Sequence, residues 1–227
     1  MHNNLNKYVR LEYRPEIDGL RALAILSVIL FHFGRKLLSG GFLGVDVFFV
    51  ISGFLITSLL LKDSDDGWSS LKRFWLRRVK RITPALITMV GITLVVTLFL
   101  LPKWEHGLKG WHGFSSLLSF ANITMWRMDD NYWGPQAAQS LFLHCWSLSI
   151  EEQFYILFPF LVMFCKRKGN LLFYLICAII FVSLALFIYS TQFHYRAAFY
   201  LLPMRAWELA VGSLVAIFVA HRVDPQL

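Results

Sequence analysis

Apolar residues along this chain fall into runs close to the length of a membrane crossing, separated by short stretches that concentrate positive charge. The runs are Leu20–Gly34, Phe42–Leu61, Ile82–Leu101, Trp146–Cys165, Leu171–Ser190 and Met204–Ala220. A weaker stretch, Phe114–Trp126, is short for a crossing. Most of the runs lack the polar stripe that a helix in water turns outward. The pattern predicts an all-α fold, a polytopic transmembrane helical bundle of six to seven spans. Phe114–Trp126 is expected to dip in or lie at the surface as a re-entrant or interfacial helix. Pro84, near the start of the third run, sits where a first helical turn tolerates proline.

Charge sets the orientation. Lys7, Arg10, Arg14 and Arg21 precede or open the first run, and Lys62–Arg81 reads as a densely basic loop. Both belong on the cytoplasmic side, which makes the first two runs a hairpin with its tip, Arg35–Phe42, outside. The basic loop at Lys166–Asn170 also belongs inside. Residues 1–17 read as a cytoplasmic N-terminal segment and 18–227 as the transmembrane domain, with no cleavable signal peptide. Composition agrees: 57% of residues are hydrophobic and 16% charged, too apolar for one soluble domain. The formal charge of +8 does not point to nucleic acid, because its Lys and Arg flank apolar runs. Cys145, Cys165 and Cys177 show no metal-ligand spacing and read as small buried hydrophobes. No metal or bound cofactor is expected.

Ionisable residues inside apolar runs are costly, and each needs a partner or a polar cavity. Arg21 and His32 are eleven residues apart, which returns to within roughly 20° of one helix face, about 16 Å apart along the axis. They read either as a functional stripe or as a snorkelling arginine and a histidine bonded to a neighbouring helix. Asp46 follows a glycine-rich turn at a depth similar to His32, where a carboxylate can orient an imidazole. In the run starting at Trp146, Ser147 and Glu151 share one face while Glu152 lies on another, just after His144. The two glutamates read either as acid–base groups or as members of a structural ion pair. Arg205 and Glu208 open the last run, and Arg205 could answer one of the glutamates. Arg78 and Arg81 are spaced to present two donors suited to phosphate, or they serve topology alone. The charges thus form a cationic inner layer and a His/Asp/Glu outer layer with general acid–base potential.

Several of these stretches together resemble the membrane acyltransferase-3 family. They are Tyr13-Arg14-Pro15-Glu16-Ile17-Asp18-Gly19-Leu20-Arg21, the Arg21/His32 pair, Gly44-Val45-Asp46-Val47-Phe48-Phe49, Arg77-Arg78-x-x-Arg81-Ile82-x-Pro84, His144-x-Trp146-Ser147-Leu148-x-x-Glu151-Glu152-Gln153-Phe154-Tyr155 and Arg205-x-Trp207-Glu208. The resemblance implies a multi-pass protein of the bacterial inner membrane with a cytoplasmic N-terminus. It implies transfer of an acyl group, usually acetyl, from acyl-CoA to hydroxyls of lipopolysaccharide, peptidoglycan or another envelope glycan or lipid-linked sugar. By resemblance His32 is catalytic, with Asp46, Glu151 and Glu152 as candidate catalytic partners. Arg21, Arg78 and Arg81 fall on the acyl-CoA side, and His144, Ser147, Arg205 and Glu208 are candidate substrate-binding residues. Members usually carry more spans than this chain, which reads as the N-terminal part of the domain. The opening motif resembles members with a further periplasmic SGNH-type domain. The residues by themselves leave two other readings: a transporter of a small anion or protons, and an inactive membrane scaffold subunit.

Overall fold

A computed structural model describes residues 14–33, 38–62, 67–128, 140–165, 168 and 170–223. The described residues contain helices and no strands. The helices are α1 (Pro15–Phe33), a 3-10 turn (Gly41–Leu43), α2 (Gly44–Lys62), α3 (Trp68–Leu100), α4 (Lys103–Leu117) and α5 (Ala121–Arg127). They continue as α6 (Cys145–Cys165), α7 (Leu171–Phe193), α8 (Tyr195–Tyr200) and α9 (Leu202–Val223). Two compact units result: α1, α2 and α9 from Glu208 onward form one, and α3 to α8 with the start of α9 form the other.

Among the described residues, five segments are long and apolar enough to cross a membrane: Gly41–Lys62, Trp68–Leu100, Cys145–Cys165, Leu171–Phe193 and Tyr195–Arg222. The expected count of six to seven is not reached on length and composition. α1 has the length, but Glu16, Asp18 and Arg21 crowd its N-terminal half with charge. The Phe114–Trp126 stretch is not one helix at all. It breaks at Leu118–Phe120, where Ser119 takes φ 60°, into the end of α4 and the seven-residue α5.

α4 is built inside out. Lys109, His112, Ser115 and Ser116 are buried, while Trp104, Leu108, Trp111, Phe114 and Leu118 are exposed at helical spacing. A helix in water does the reverse. Trp111, Phe114 and Phe120 also make an outward aromatic cluster with centroids 5.7–6.2 Å apart. An apolar outside and a polar inside suit a helix seated among lipid.

Two sequence expectations need correcting in α3. The stretch Trp68–Arg81 is helix, not loop, because Ser70, Leu71 and Phe74 bury one face at helical spacing. Pro84 consequently lies inside a 33-residue helix rather than in a first turn. It removes one backbone donor there, a change that membrane helices tolerate.

The first unit is held by glycines. A β-carbon on Gly41 would strike the Ser27 carbonyl, and one on Gly44 the Ala24 carbonyl and Ser27 hydroxyl, so α1 lies directly on the hairpin turn. Gly53 and Gly212 do the same between α2 and α9. Their missing side chains leave room for the carbonyls of Leu209 and Val50. Small residues that let helix backbones touch are the usual device where lipid provides no hydrophobic drive between helices.

Candidate functional site

In the first unit, α1 and α2 bring His32 and Asp46 to the turn end of their hairpin. Phe31 is buried and closes that end edge-on against Phe42, with ring centroids 5.8 Å apart. The next residue, His32, is exposed. Its Nδ1 lies 2.8 Å from the Val28 carbonyl. A carbonyl only accepts, so Nδ1 is the donor in this contact; in the neutral imidazole the lone pair then falls on Nε2, the tautomer a general base needs. Asp46 is half-buried in the first turn of α2. Arg21, nearer the other end of α1, is half-buried with its guanidinium 5.1 Å above the Phe48 ring. Glu208 is 1% exposed on α9.

The second unit places the other candidates, and the two glutamates part company there. Glu151 is 5% exposed and accepts a 2.8 Å hydrogen bond from the Tyr155 hydroxyl, one turn along α6. Arg78 of α3 lies over the same tyrosine, 5.3 Å from its ring centroid and 5.6 Å from that of Phe74. The division into a cationic inner layer and an acidic outer layer therefore fails at this point. Arg78 and Glu151 meet at one residue midway along α6. Arg81, one turn on, is exposed.

Glu152 is half-buried and faces the α4–α5 break, where it accepts a hydrogen bond from the Ser119 hydroxyl. The neighbouring Gln153 donates to the Ser119 carbonyl (2.9 Å) and to Asn122 Oδ1 (2.8 Å), and Asn122 donates to the Tyr200 carbonyl (3.0 Å). The Ala121 amide donates to Ser149 Oγ. α4, α5, α6 and α8 are thus tied through side chains. Sequence reasoning missed Ser119, Asn122 and Gln153 as a network. Asn122 and Gln153 carried the available signal, as amides inside apolar stretches.

His144 is exposed just before α6, and its carbonyl accepts from the Ser147 hydroxyl. Arg205 is 6% exposed, its guanidinium 5.4–5.8 Å from the rings of Trp146, Phe187 and Phe199. A cation–π contact is worth about 2 kcal/mol when desolvated. Among the described residues no group of His, Cys, Asp and Glu is arranged to hold a metal ion.

Residues 14–223 match a family model described as an acyltransferase domain. The chain is 38% identical over 216 residues to a Staphylococcus aureus (strain MSSA476) protein provisionally assigned as an O-acetyltransferase. That match covers 92% of this chain and 35% of the relative. It is 39% identical over 164 residues to the peptidoglycan O-acetyltransferase OatA of Listeria monocytogenes, covering 70% of this chain and 26% of that protein. A similar match, 39% over 165 residues, joins it to the O-acetyltransferase OatA of Staphylococcus aureus (strain NCTC 8325), covering 72% of this chain and 27% of that one. The chain spans roughly a third of the length of the first of these relatives. No solved structure matches it.

Proposed function

We propose, from the premise that this chain belongs to the acyltransferase domain family, that the protein is a membrane O-acyltransferase acting on cell-envelope carbohydrate. The donor is acyl-CoA, most simply acetyl-CoA, and the acceptor a sugar hydroxyl of the peptidoglycan type named for one relative. The observation that carries this reading is Glu151. It is a carboxylate buried in an apolar helix, hydrogen-bonded to Tyr155, with a guanidinium on that tyrosine's ring. Such an arrangement is costly in a membrane unless it serves a reaction or a path for polar groups.

In this reading His32 Nε2 takes the proton from the sugar hydroxyl as its oxygen attacks the acyl carbonyl carbon. The carbon–sulfur bond breaks and the thiolate of CoA leaves, recovering a proton from the imidazolium. If the acyl group travels first on an intermediate carrier, an oxygen ester replaces the thioester and the same proton transfers hold. Asp46 orients and steadies the charged imidazole. Arg21, Arg78 and Arg81 serve the donor side, and His144, Ser147, Arg205 and Glu208 the acceptor side.

The protein sits in the plasma membrane with its N-terminus cytoplasmic, and α1 is a sixth crossing that tolerates its charges because they serve the donor path. A cysteine at Ser39 then labels from outside and one at Lys62 from inside. Labelling of both from one side removes the hairpin. The test of function is acetyl-CoA-dependent O-acetylation of envelope glycan by the full-length protein in membranes, read by mass spectrometry. Glycan that gains no acyl group when the protein is present and donor is supplied sinks the enzyme reading.

A further inference from the structure

Tyr155 stands between two charged groups, and its own backbone is unusual. Four residues further along α6 comes Pro159, which has no N–H and cannot close the helical hydrogen bond to the Tyr155 carbonyl. That carbonyl instead accepts from the indole Nε1 of Trp75 at 2.9 Å. Trp75 and Phe160 also pack with ring centroids 5.2 Å apart. A gap that proline opens in α6 is thus filled by a side chain of α3, which pins the two helices at the level of this tyrosine. Three residues along α3 from Trp75 comes Arg78, and its guanidinium rests on the face of the Tyr155 ring.

The tyrosine is 6% exposed and uses all its parts. Its hydroxyl holds one oxygen of Glu151, its ring face holds Arg78, and its carbonyl holds α3. A buried carboxylate is costly unless donors orient it, and a hydrogen bond to a charged group is among the stronger kinds. The electron-rich ring face does the corresponding work for the guanidinium without neutralising it.

We propose that Tyr155 is a positioning residue that couples Arg78 to Glu151, setting the carboxylate's orientation with its hydroxyl and the guanidinium's seat with its ring. This rests on the reading above in which Arg78 serves the donor and Glu151 the transfer. The two halves of the tyrosine are separable. Tyr155→Phe keeps the ring and the packing but removes the hydroxyl. Tyr155→Leu removes both.

The full-length protein in membranes is assayed with acetyl-CoA as donor. Tyr155→Phe is expected to lower kcat about 10- to 100-fold, the range for losing a hydrogen bond to a charged group, with the KM for acetyl-CoA unchanged. Tyr155→Leu is expected to raise that KM as well, because Arg78 loses its seat. A role in packing alone moves neither constant once the amount of folded protein is matched. Unchanged kcat in Tyr155→Phe, or a KM that rises equally in both variants, overturns the proposal.

A second measurement does not depend on turnover. In thermal unfolding of the solubilised protein, Tyr155→Phe is expected to cost stability in the parent and nothing further in Glu151→Ala. Equal losses in both backgrounds also overturn the coupling. An inactive parent defeats the donor assignment, while the thermal cycle still decides the fate of Tyr155.

Discussion

The two units solve the same problem, helix association in a membrane, by opposite means. In the unit of α1, α2 and the body of α9, backbones approach until only glycine fits, at Gly41, Gly44, Gly53 and Gly212. In the unit of α3 to α8, helices are joined by side chains: Trp75 to Tyr155, Glu152 to Ser119, and Gln153 to Asn122. Gly91 and Gly107 in that unit have open space where a β-carbon would go. The first unit is therefore intolerant of volume and the second intolerant of lost polar groups. The exposed His32 and the buried Glu208 belong to the first kind of structure, and Glu151 and Glu152 to the second. His32 is thus carried on a scaffold of close backbone contacts.

The largest expected effect breaks that contrast at a glycine. Gly53→Val forces a branched side chain onto the Leu209 carbonyl, and backbone on both sides leaves no flexible end to yield. Overpacking typically costs up to about 3 kcal/mol and more where nothing relaxes, so loss of folded protein in the membrane is expected. Gly91→Ala in α3 meets nothing and should be neutral or slightly stabilising, by roughly 0.5–1 kcal/mol of helix propensity. Thermal unfolding in detergent compares them. Equal tolerance at both positions would remove the distinction between the units.

His32→Gln comes next. The side chain is exposed, so the change leaves the glycine contacts intact and protein level near normal. Transfer should fall by about 10²–10⁴-fold, the usual cost of losing a general base. A His32→Gln protein that acylates at close to the parental rate would move the role of base to Glu151 or Glu152.

The arginines sharpen the second unit. Arg78 is half-buried against two rings and Arg81 is exposed, so replacement by lysine should not act alike. Arg78→Lys keeps the charge but loses the planar stack, and the KM for acyl-CoA should rise about 3- to 30-fold. Arg81→Lys should change it less than about 3-fold. Kinetics at matched protein level decide, and equal effects would return both residues to a common phosphate grip.

How much of this was legible depended on whether the cause was local. Apolar length placed α6 and α7 within a few residues, because lipid demands a continuous run wherever the helix ends up. Charge density misled in α3. Seven Lys and Arg between Lys62 and Arg81 look like a loop, yet Leu71 and Phe74 at helical spacing carry the helix through them. Most of the candidate residues were visible as polar or charged groups in or beside apolar runs, and Arg78 and Arg81 as part of a basic stretch, but their partners were not. Nothing local distinguishes Glu151 from Glu152; only the neighbours of each, Tyr155 on one side and the Ser119 turn on the other, separate them. Gly41 and Gly44 were legible only as part of the glycine-rich turn before Asp46, while the close approach at Gly53 and Gly212, and which backbone each glycine meets, came only from the tertiary structure.

The smallest effect sits at Ser119, the one non-glycine residue with positive φ among those described. A serine in that conformation costs roughly 1–2 kcal/mol relative to glycine, and here two contacts hold it: its hydroxyl on Glu152 and its carbonyl under Gln153. Ser119→Gly relieves the backbone but forfeits a hydrogen bond to a carboxylate, worth about 1.5–3 kcal/mol, so a net loss near 1 kcal/mol is expected. Ser119→Ala forfeits the same bond and keeps the strain, so it should be the worse of the two by roughly the backbone term. Thermal unfolding of both variants reads the difference. If Ser119→Gly is more stable than the parent, the hydroxyl contributes little and the α4–α5 break is held by backbone geometry, as the first unit is. If it is less stable while Ser119→Ala is lower still, the turn depends on its side chain and the contrast between the two units extends to its weakest joint.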